Sequence, residues 1–135
     1  MAVLADHKTV GAPFSNVAGE LVRIEYDFAN DGGTVADYDV MTADGAMIVE
    51  LINVDVKTAA TSGGSLVVDL GKAAGGTEFW SDKAVAAITL DAQIPPDSPS
   101  QMVELADGEK IVLGLEAAAA TAGKFQMMFK VYARI

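Results

Sequence analysis

The stretch Lys124-Phe125-Gln126-Met127-Met128-Phe129-Lys130-Val131-Tyr132-Ala133-Arg134-Ile135 alternates strictly. Phe125, Met127, Phe129, Val131, Ala133 and Ile135 fall on one side, and Lys124, Gln126, Met128, Lys130, Tyr132 and Arg134 on the other. A period of two is the mark of a strand with one face in a core and one toward solvent. Wound as a helix, the same apolar residues would be scattered around the circumference. Leu21–Phe28 repeats the pattern, with Val22, Ile24, Tyr26 and Phe28 inward and Arg23, Glu25 and Asp27 outward.

Further strands lie between these two. Ala46–Lys57 is long and rich in Ile and Val. Its apolar parity changes from Met47, Val49 and Leu51 to Ile52, Val54 and Val56, which predicts a β-bulge at Glu50–Ile52. Ser65–Leu70 puts Leu66, Val68 and Leu70 on one side. Gly63-Gly64 supplies a tight reversal before it, so Val54–Leu70 reads as a hairpin. Ala84–Leu90, Gln101–Leu105 and Lys110–Glu116 read as shorter strands, the last two joined in a hairpin by Ala106-Asp107-Gly108-Glu109. Val35–Met41 reads as a strand after the Asn30-Asp31-Gly32-Gly33 turn. Ile94–Ser100 is proline-rich and reads as a stiff extended connection. Helical signal is confined to one or two turns at Leu115–Ala122 and a single turn at Thr77–Lys83. The expectation is an all-β single domain, a jelly-roll or β-sandwich-like barrel of about seven or eight short antiparallel strands.

Residues 1–20 stand apart. They show no sustained alternation, and Gly11-Ala12-Pro13 interrupts any regular element. They read as an irregular, extended N-terminal arm, with residues 21–135 forming the β-rich globular domain. Val3, Leu4, Val10, Phe14 and Val17 make the arm too apolar for a free tail, so it lies over its own core or on a partner.

Composition removes whole classes of function. The 135 residues include no cysteine, which excludes disulfides, thiolate metal sites and thiol catalysis. The single histidine, His7, excludes multi-histidine metal centres. A net charge of −10 repels phosphate backbones, so no nucleic-acid partner is expected. No apolar run is long enough for a membrane-spanning helix, and Met1–Lys8 lacks the pattern of a secretory leader, so synthesis in the cytoplasm is expected. The charge is lopsided: residues 1–55 hold ten acids and two bases, whereas residues 56–135 hold nine acids and seven bases. The basic final strand therefore suggests an electrostatic seam with an acidic neighbour.

Chemistry is sparse. No G-x-S-x-G motif accompanies His7, and Gly75-Gly76-Thr77 lacks the lysine of a phosphate cradle. Asp37 and Asp39 share a strand face, as polar alternation requires. Together with the Asn30-Asp31-Gly32-Gly33 turn they offer oxygens for calcium, but without EF-hand spacing or a bidentate glutamate. The reading is therefore a non-enzyme with no catalytic residue, metal or cofactor. Two features suit contact instead. Phe79-Trp80 follows a glycine-rich loop and is either a core plug or an exposed anchor for a subunit or a sugar. Met128 and Tyr132, on the outer face of the last strand, suit a subunit contact.

Five features combine: the irregular arm; N-V-D-V-K-T-A-A-T-S-G-G-S-L-V-V-D-L-G over residues 53–71; the glycine loop before Phe79-Trp80; A-D-G-E-K-I-V-L-G-L over 106–115; and the closing T-A-G-K-F-Q-M-M-F-K-V-Y-A-R-I. Together they resemble the small head-decoration, or cement, proteins of tailed bacteriophages, well over residues 46–135 and loosely before them. The resemblance implies a β-rich structural virion protein, a homotrimer on the outer capsid surface that clamps neighbouring major capsid protein subunits. It also implies that an arm reaches the shell, with Val3, Leu4, Val10 and Phe14 as its contacts, and it carries no catalytic residue. The alternative is a phage head-fibre or tail-associated β-sandwich that binds a carbohydrate or receptor through Phe79-Trp80.

Overall fold

Ten strands appear in the computed structural model, which describes residues 2–11, 19–98 and 102–133. They are β1 (Ala2–Gly11), β2 (Glu20–Asp27), β3 (Ala36–Asp44), β4 (Met47–Ser62), β5 (Val67–Lys72), β6 (Trp80–Ala84), β7 (Gln93–Ile94), β8 (Met102–Leu105), β9 (Lys110–Glu116) and β10 (Ala120–Ala133). A helical turn, α1 (Phe28–Asp31), and a 3-10 turn (Val85–Ala87) complete the regular structure among the described residues. One sheet has the order β1-β3-β9-β5-β6; the other is β2-β10-β4-β7, with β8 also paired to β4. Alternating apolar residues on both sheets face each other, and the result is a single-domain β-sandwich.

The closing strand organises the second sheet. β10 pairs antiparallel with β2 from Lys124↔Asp27 to Val131↔Glu20, and with β4 from Ala120↔Ser62 to Ala133↔Met47. Phe125, Met127, Phe129, Val131 and Ala133 are buried as the alternation requires, while Lys124, Gln126, Met128, Lys130 and Tyr132 are half-buried on the outer face. The inner residues meet the first sheet through aromatic contacts. Phe125 lies 6.1 Å from Trp80 of β6, and Phe129 lies 6.1 Å from Phe79, which precedes β6, between ring centroids. Tyr26, on β2 of the same sheet, lies 5.1 Å from Phe125 and reaches Tyr38 of β3 at 6.3 Å. Each such fully buried side chain is worth about 1.5–3 kcal/mol relative to exposure, so this seam holds the sheets together.

The predicted bulge is present. The β4–β10 register slips between Met128↔Asn53 and Phe129↔Leu51, leaving Ile52 as the extra residue. Met47, Val49 and Leu51 before it and Val54 and Val56 after it are all buried. Ile52 itself turns outward rather than joining the second apolar set.

Both proposed hairpins dissolve. β4 continues to Ser62 through Thr58-Ala59-Ala60-Thr61, because β10 offers partners that far, and β5 then joins the other sheet. Gly63-Gly64 therefore links two sheets instead of folding a strand back on its neighbour. Ala106–Glu109 is a turn, closed by Glu109 N–H donating to the Ala106 carbonyl at 3.0 Å, but β8 pairs with β4 and β9 with β3 and β5. A turn signal specifies a reversal; it does not specify whether the two arms share a sheet. The expected helical turns also give way to strand: Ala120 begins β10, and Trp80–Ala84 is β6. The Ala84–Leu90 strand shrinks to the 3-10 turn at Val85–Ala87.

Residues 2–11 are not irregular. They form β1, which runs parallel to β3 with its register interrupted between Val3 and Lys8. Of the two placements open to the arm, this segment takes the one over its own core: Leu4 and Val10 are buried. The sequence pattern hid the strand because Asp6 and Lys8 stand between them on the same parity. These two charges clamp the free edge of β2. Glu25 N–H donates to Asp6 Oδ2 at 2.7 Å, Lys8 Nζ donates to the Arg23 carbonyl at 2.7 Å, and Lys8 pairs with Asp6 at 3.2 Å. The β6 edge of the first sheet is closed as well. Asp97 N–H donates to the Phe79 carbonyl, Ser81 N–H donates to Asp97 Oδ2, and Lys83 pairs with the Asp97 carboxylate. Unpaired edges invite uncontrolled strand addition, and both sheets meet that hazard with side chains.

Candidate functional site

The residues singled out for contact part company. Phe79 and Trp80 are fully buried, and the Trp80 indole N–H donates to the Pro95 carbonyl at 3.2 Å. They are the core plug, so this pair offers no exposed platform for a sugar or a subunit. Leu4 and Val10 are likewise spent on the core, Val3 is 55% exposed on β1, and Phe14 lies outside the described residues. Met128 and Tyr132 do lie together on the outer face of the second sheet.

That face is laid out in cross-strand rows. Glu25, Gln126, Asp55 and Gln93 form a polar row joined by side-chain hydrogen bonds: Gln126 Nε2 to Glu25 Oε2 at 3.1 Å and Gln93 Nε2 to Asp55 Oδ1 at 2.7 Å. Arg23, Met128 and Asn53 form the next, and Leu21, Lys130, Glu50 and Met102 the one beyond the bulge. The Tyr132 hydroxyl donates to Glu50 Oε1 at 3.1 Å, and the Lys130 ammonium sits over the Tyr132 ring. Leu21, Ile52 and Met102 are exposed at this end. Sequence reasoning found Met128 and Tyr132 by alternation but missed Leu21, Ile52 and Met102, whose shared face depends on the bulge and on β8 joining β4. Of the basic residues of the closing strand, Lys124 lies 4.0 Å from Asp27 of β2, Lys130 makes no ion pair among the described residues, and Arg134 lies outside them.

The outer face of the first sheet is acidic. Carboxylate oxygens of Asp69, Asp82 and Glu116 come within 4.8 Å of one another, a spacing open to a cation. Asp69 Oδ1 accepts from Asp82 N–H at 2.6 Å. A hydrogen bond with Asp69, and the charges of Asp69, Asp82 and Asp37, push the Glu116 carboxyl above its ordinary range. Gly114 lies beneath, where a Cβ would stand 3.0 Å from Asp37 Oδ1. The calcium arrangement considered from the sequence is dispersed. Asp31 accepts from Ala5 N–H at 2.7 Å and from Asp27 N–H at 2.9 Å, and Asp39 pairs with Lys110 at 2.8 Å, leaving Asp39 Oδ1 buried without a partner among the described residues. Asp37 faces the other cluster.

Other polar groups bond their neighbours in the fold. A cleft of about 450 Å³ between β1, β2 and α1 is lined by Asp6, Lys8, Glu25 and Asp31 among others, and these are the side chains that stitch the sheet corner. His7 Nε2 lies 2.9 Å from Thr42 Oγ1, with no third group orienting the ring among the described residues, so it lacks the relay of an activated nucleophile. Burial pushes the Tyr26 and Tyr38 hydroxyls up. Both remain neutral donors, to the Gly32 carbonyl at 2.7 Å and the Thr34 carbonyl at 2.8 Å.

No protein-family model and no curated protein sequence matches this chain. Two solved structures share its fold. A chain in the cyanophage Pam1 capsid asymmetric unit superimposes with a TM-score of 0.61 at 16% identity, covering 93% of each chain. A chain in the capsid of Ralstonia phage GP4 gives 0.56 at 15% identity, covering 94% of this chain and 98% of that one. At such identities the likeness concerns the fold, and it spans the sandwich from end to end.

Proposed function

We propose that this chain is a structural protein of a bacteriophage virion that decorates the outer surface of the capsid and stabilises it, associating as trimers that bridge major capsid protein subunits. The observation that carries the reading is the fold shared, over nearly the whole chain, with chains of two phage capsids. The inventory of side chains agrees: the sandwich invests its polar groups in closing its own edges and presents broad faces without a reactive centre among the described residues. Work of this kind needs cohesion and area. Three linked copies would multiply weak contacts with the shell through effective concentration. An acidic exterior keeps packed particles apart.

The test is addition of the purified protein to expanded capsids that lack it. Saturable binding, a fixed stoichiometry and survival of the shell at higher temperature are expected, with no binding to immature capsids. Absence of the protein from purified virions, together with no binding to expanded shells, would defeat the reading. The carbohydrate-binding alternative loses its anchors with the burial of Phe79 and Trp80 and gains no other support.

A further inference from the structure

The row Leu21, Lys130, Glu50, Met102 runs straight across the second sheet, each residue the cross-strand partner of the next on β2, β10, β4 and β8. Its order is apolar, positive, negative, apolar. Read from the other end it is the same row with the charges exchanged. The flanking side chains are well exposed, Leu21 at 67% and Met102 at 49%. Lys130 makes no ion pair among the described residues; its ammonium rests 5.6 Å from the centroid of the Tyr132 ring. An apolar–charge–charge–apolar row with its cation unpaired is half of a contact.

We propose that this face binds a second copy of the chain about a two-fold axis that runs along the strands between β10 and β4, in the plane of the contact. Rotation about that axis exchanges β10 with β4 and β2 with β8. It lays Lys130 of each copy over Glu50 of the other and Leu21 of each over Met102 of the other, giving two ion pairs flanked by two apolar contacts. Met128 comes to face Asn53 across the neighbouring row, and Ile52, pushed outward by the bulge, fills the space between rows. An isologous interface demands this kind of self-complementarity, whereas a three-fold contact joins two different patches. The charge order therefore selects pairing at this face. Packed sheets aligned within about 30° of each other and about 10 Å apart leave room for such interdigitation. Three-fold association, if present, then uses another surface, and pairing through this one links neighbouring trimers.

The proposal concerns the isolated chain and does not depend on the capsid reading, which its test leaves untouched. Lys130→Glu places glutamate against glutamate twice in each pair, and Glu50→Lys places lysine against lysine twice. Each variant is expected to weaken self-association by about tenfold or more in sedimentation equilibrium. An equimolar mixture of the two restores both opposite-charge contacts in a mixed pair, and the double variant restores them in a like pair. Recovery in both cases, with unchanged circular dichroism, is the expected result and shows that neither variant simply misfolds. A parent chain that stays monomeric at millimolar concentration overturns the proposal. So do single variants that associate as the parent does, a mixture that recovers nothing, or a trimer indifferent to both changes.

Discussion

Leu4→Ala tests whether the first strand belongs to the core or is an appendage. Leu4 is 2% exposed, in contact with the buried set that spans both sheets. The change removes three buried carbons at about 0.8 kcal/mol each, or about 2.4 kcal/mol of transfer energy. The unfilled space at the sandwich margin adds to this, for a total of about 3 kcal/mol. Asp6→Ala removes the acceptor of the Glu25 N–H and the partner of Lys8. Water reaches that corner, so its cost is about 1 kcal/mol. Val3→Ala, at a site 55% exposed on the adjacent position, stays within about 0.5 kcal/mol of the parent. Urea unfolding at pH 7, fitted with a common slope, reads all three. Because a small domain holds only about 5–15 kcal/mol in total, the Leu4→Ala midpoint should fall visibly. A Leu4→Ala midpoint equal to that of Val3→Ala would mean that β1 detaches without loss and that residues 2–11 act as a free arm. Deleting residues 1–11 is likewise expected to unfold or aggregate the chain by exposing the β2 edge, which a merely peripheral arm would not do.

Three further outcomes follow from the geometry. Glu116→Gln removes a carboxylate held above its ordinary range by Asp69 and its neighbours. A raised carboxyl stabilises the fold while protonated and loses that contribution as pH rises through its folded value. The variant should therefore melt higher than the parent at pH 7, by about 1 kcal/mol after solvent screening, and match it near about pH 4; a thermal-melt series over pH decides, and a gap of the opposite sign would refute the crowding. Gly33→Ala drives a Cβ to 2.1 Å from the Ala120 carbonyl oxygen, beside the bond by which Ala120 N–H donates to the Gly33 carbonyl, and should cost about 2 kcal/mol or more in chemical unfolding. Trp80→Ala empties the aromatic seam and should cost about 3–5 kcal/mol, with Trp80→Phe falling between it and the parent; glycan arrays are expected to stay silent for every form.

Local alternation was a dependable guide where both faces of a strand met ordinary surroundings, as in β2 and β10. It even located the bulge in β4, because a parity change in a long apolar strand has few other physical solutions. Its failures share a cause. Turn residues report that the chain reverses, and Gly63-Gly64 and Asp107-Gly108 do reverse it, but the partner of the emerging strand is chosen by distant sequence: β5 by β9, β8 by β4. Strand β1 was hidden because Asp6 and Lys8, on the same parity as Leu4 and Val10, stay at the solvent-reached margin and bond the unpaired backbone of β2. Phe79 and Trp80 could equally have been plug or platform, since a large aromatic pair after a glycine loop is identical in sequence whether a second sheet covers it or not.

What the sequence by itself determined is the fold class and the absence of cysteine and multi-histidine chemistry, because periodicity and composition act locally and do not depend on which strand meets which. The contact surface was decided by tertiary structure alone. Leu21, Lys130, Glu50 and Met102 are separated by up to 109 positions in the chain, and nothing in their local context relates them. They become one ordered row only when hydrogen bonding sets the register of four strands, and a register is a property of the assembled sheet.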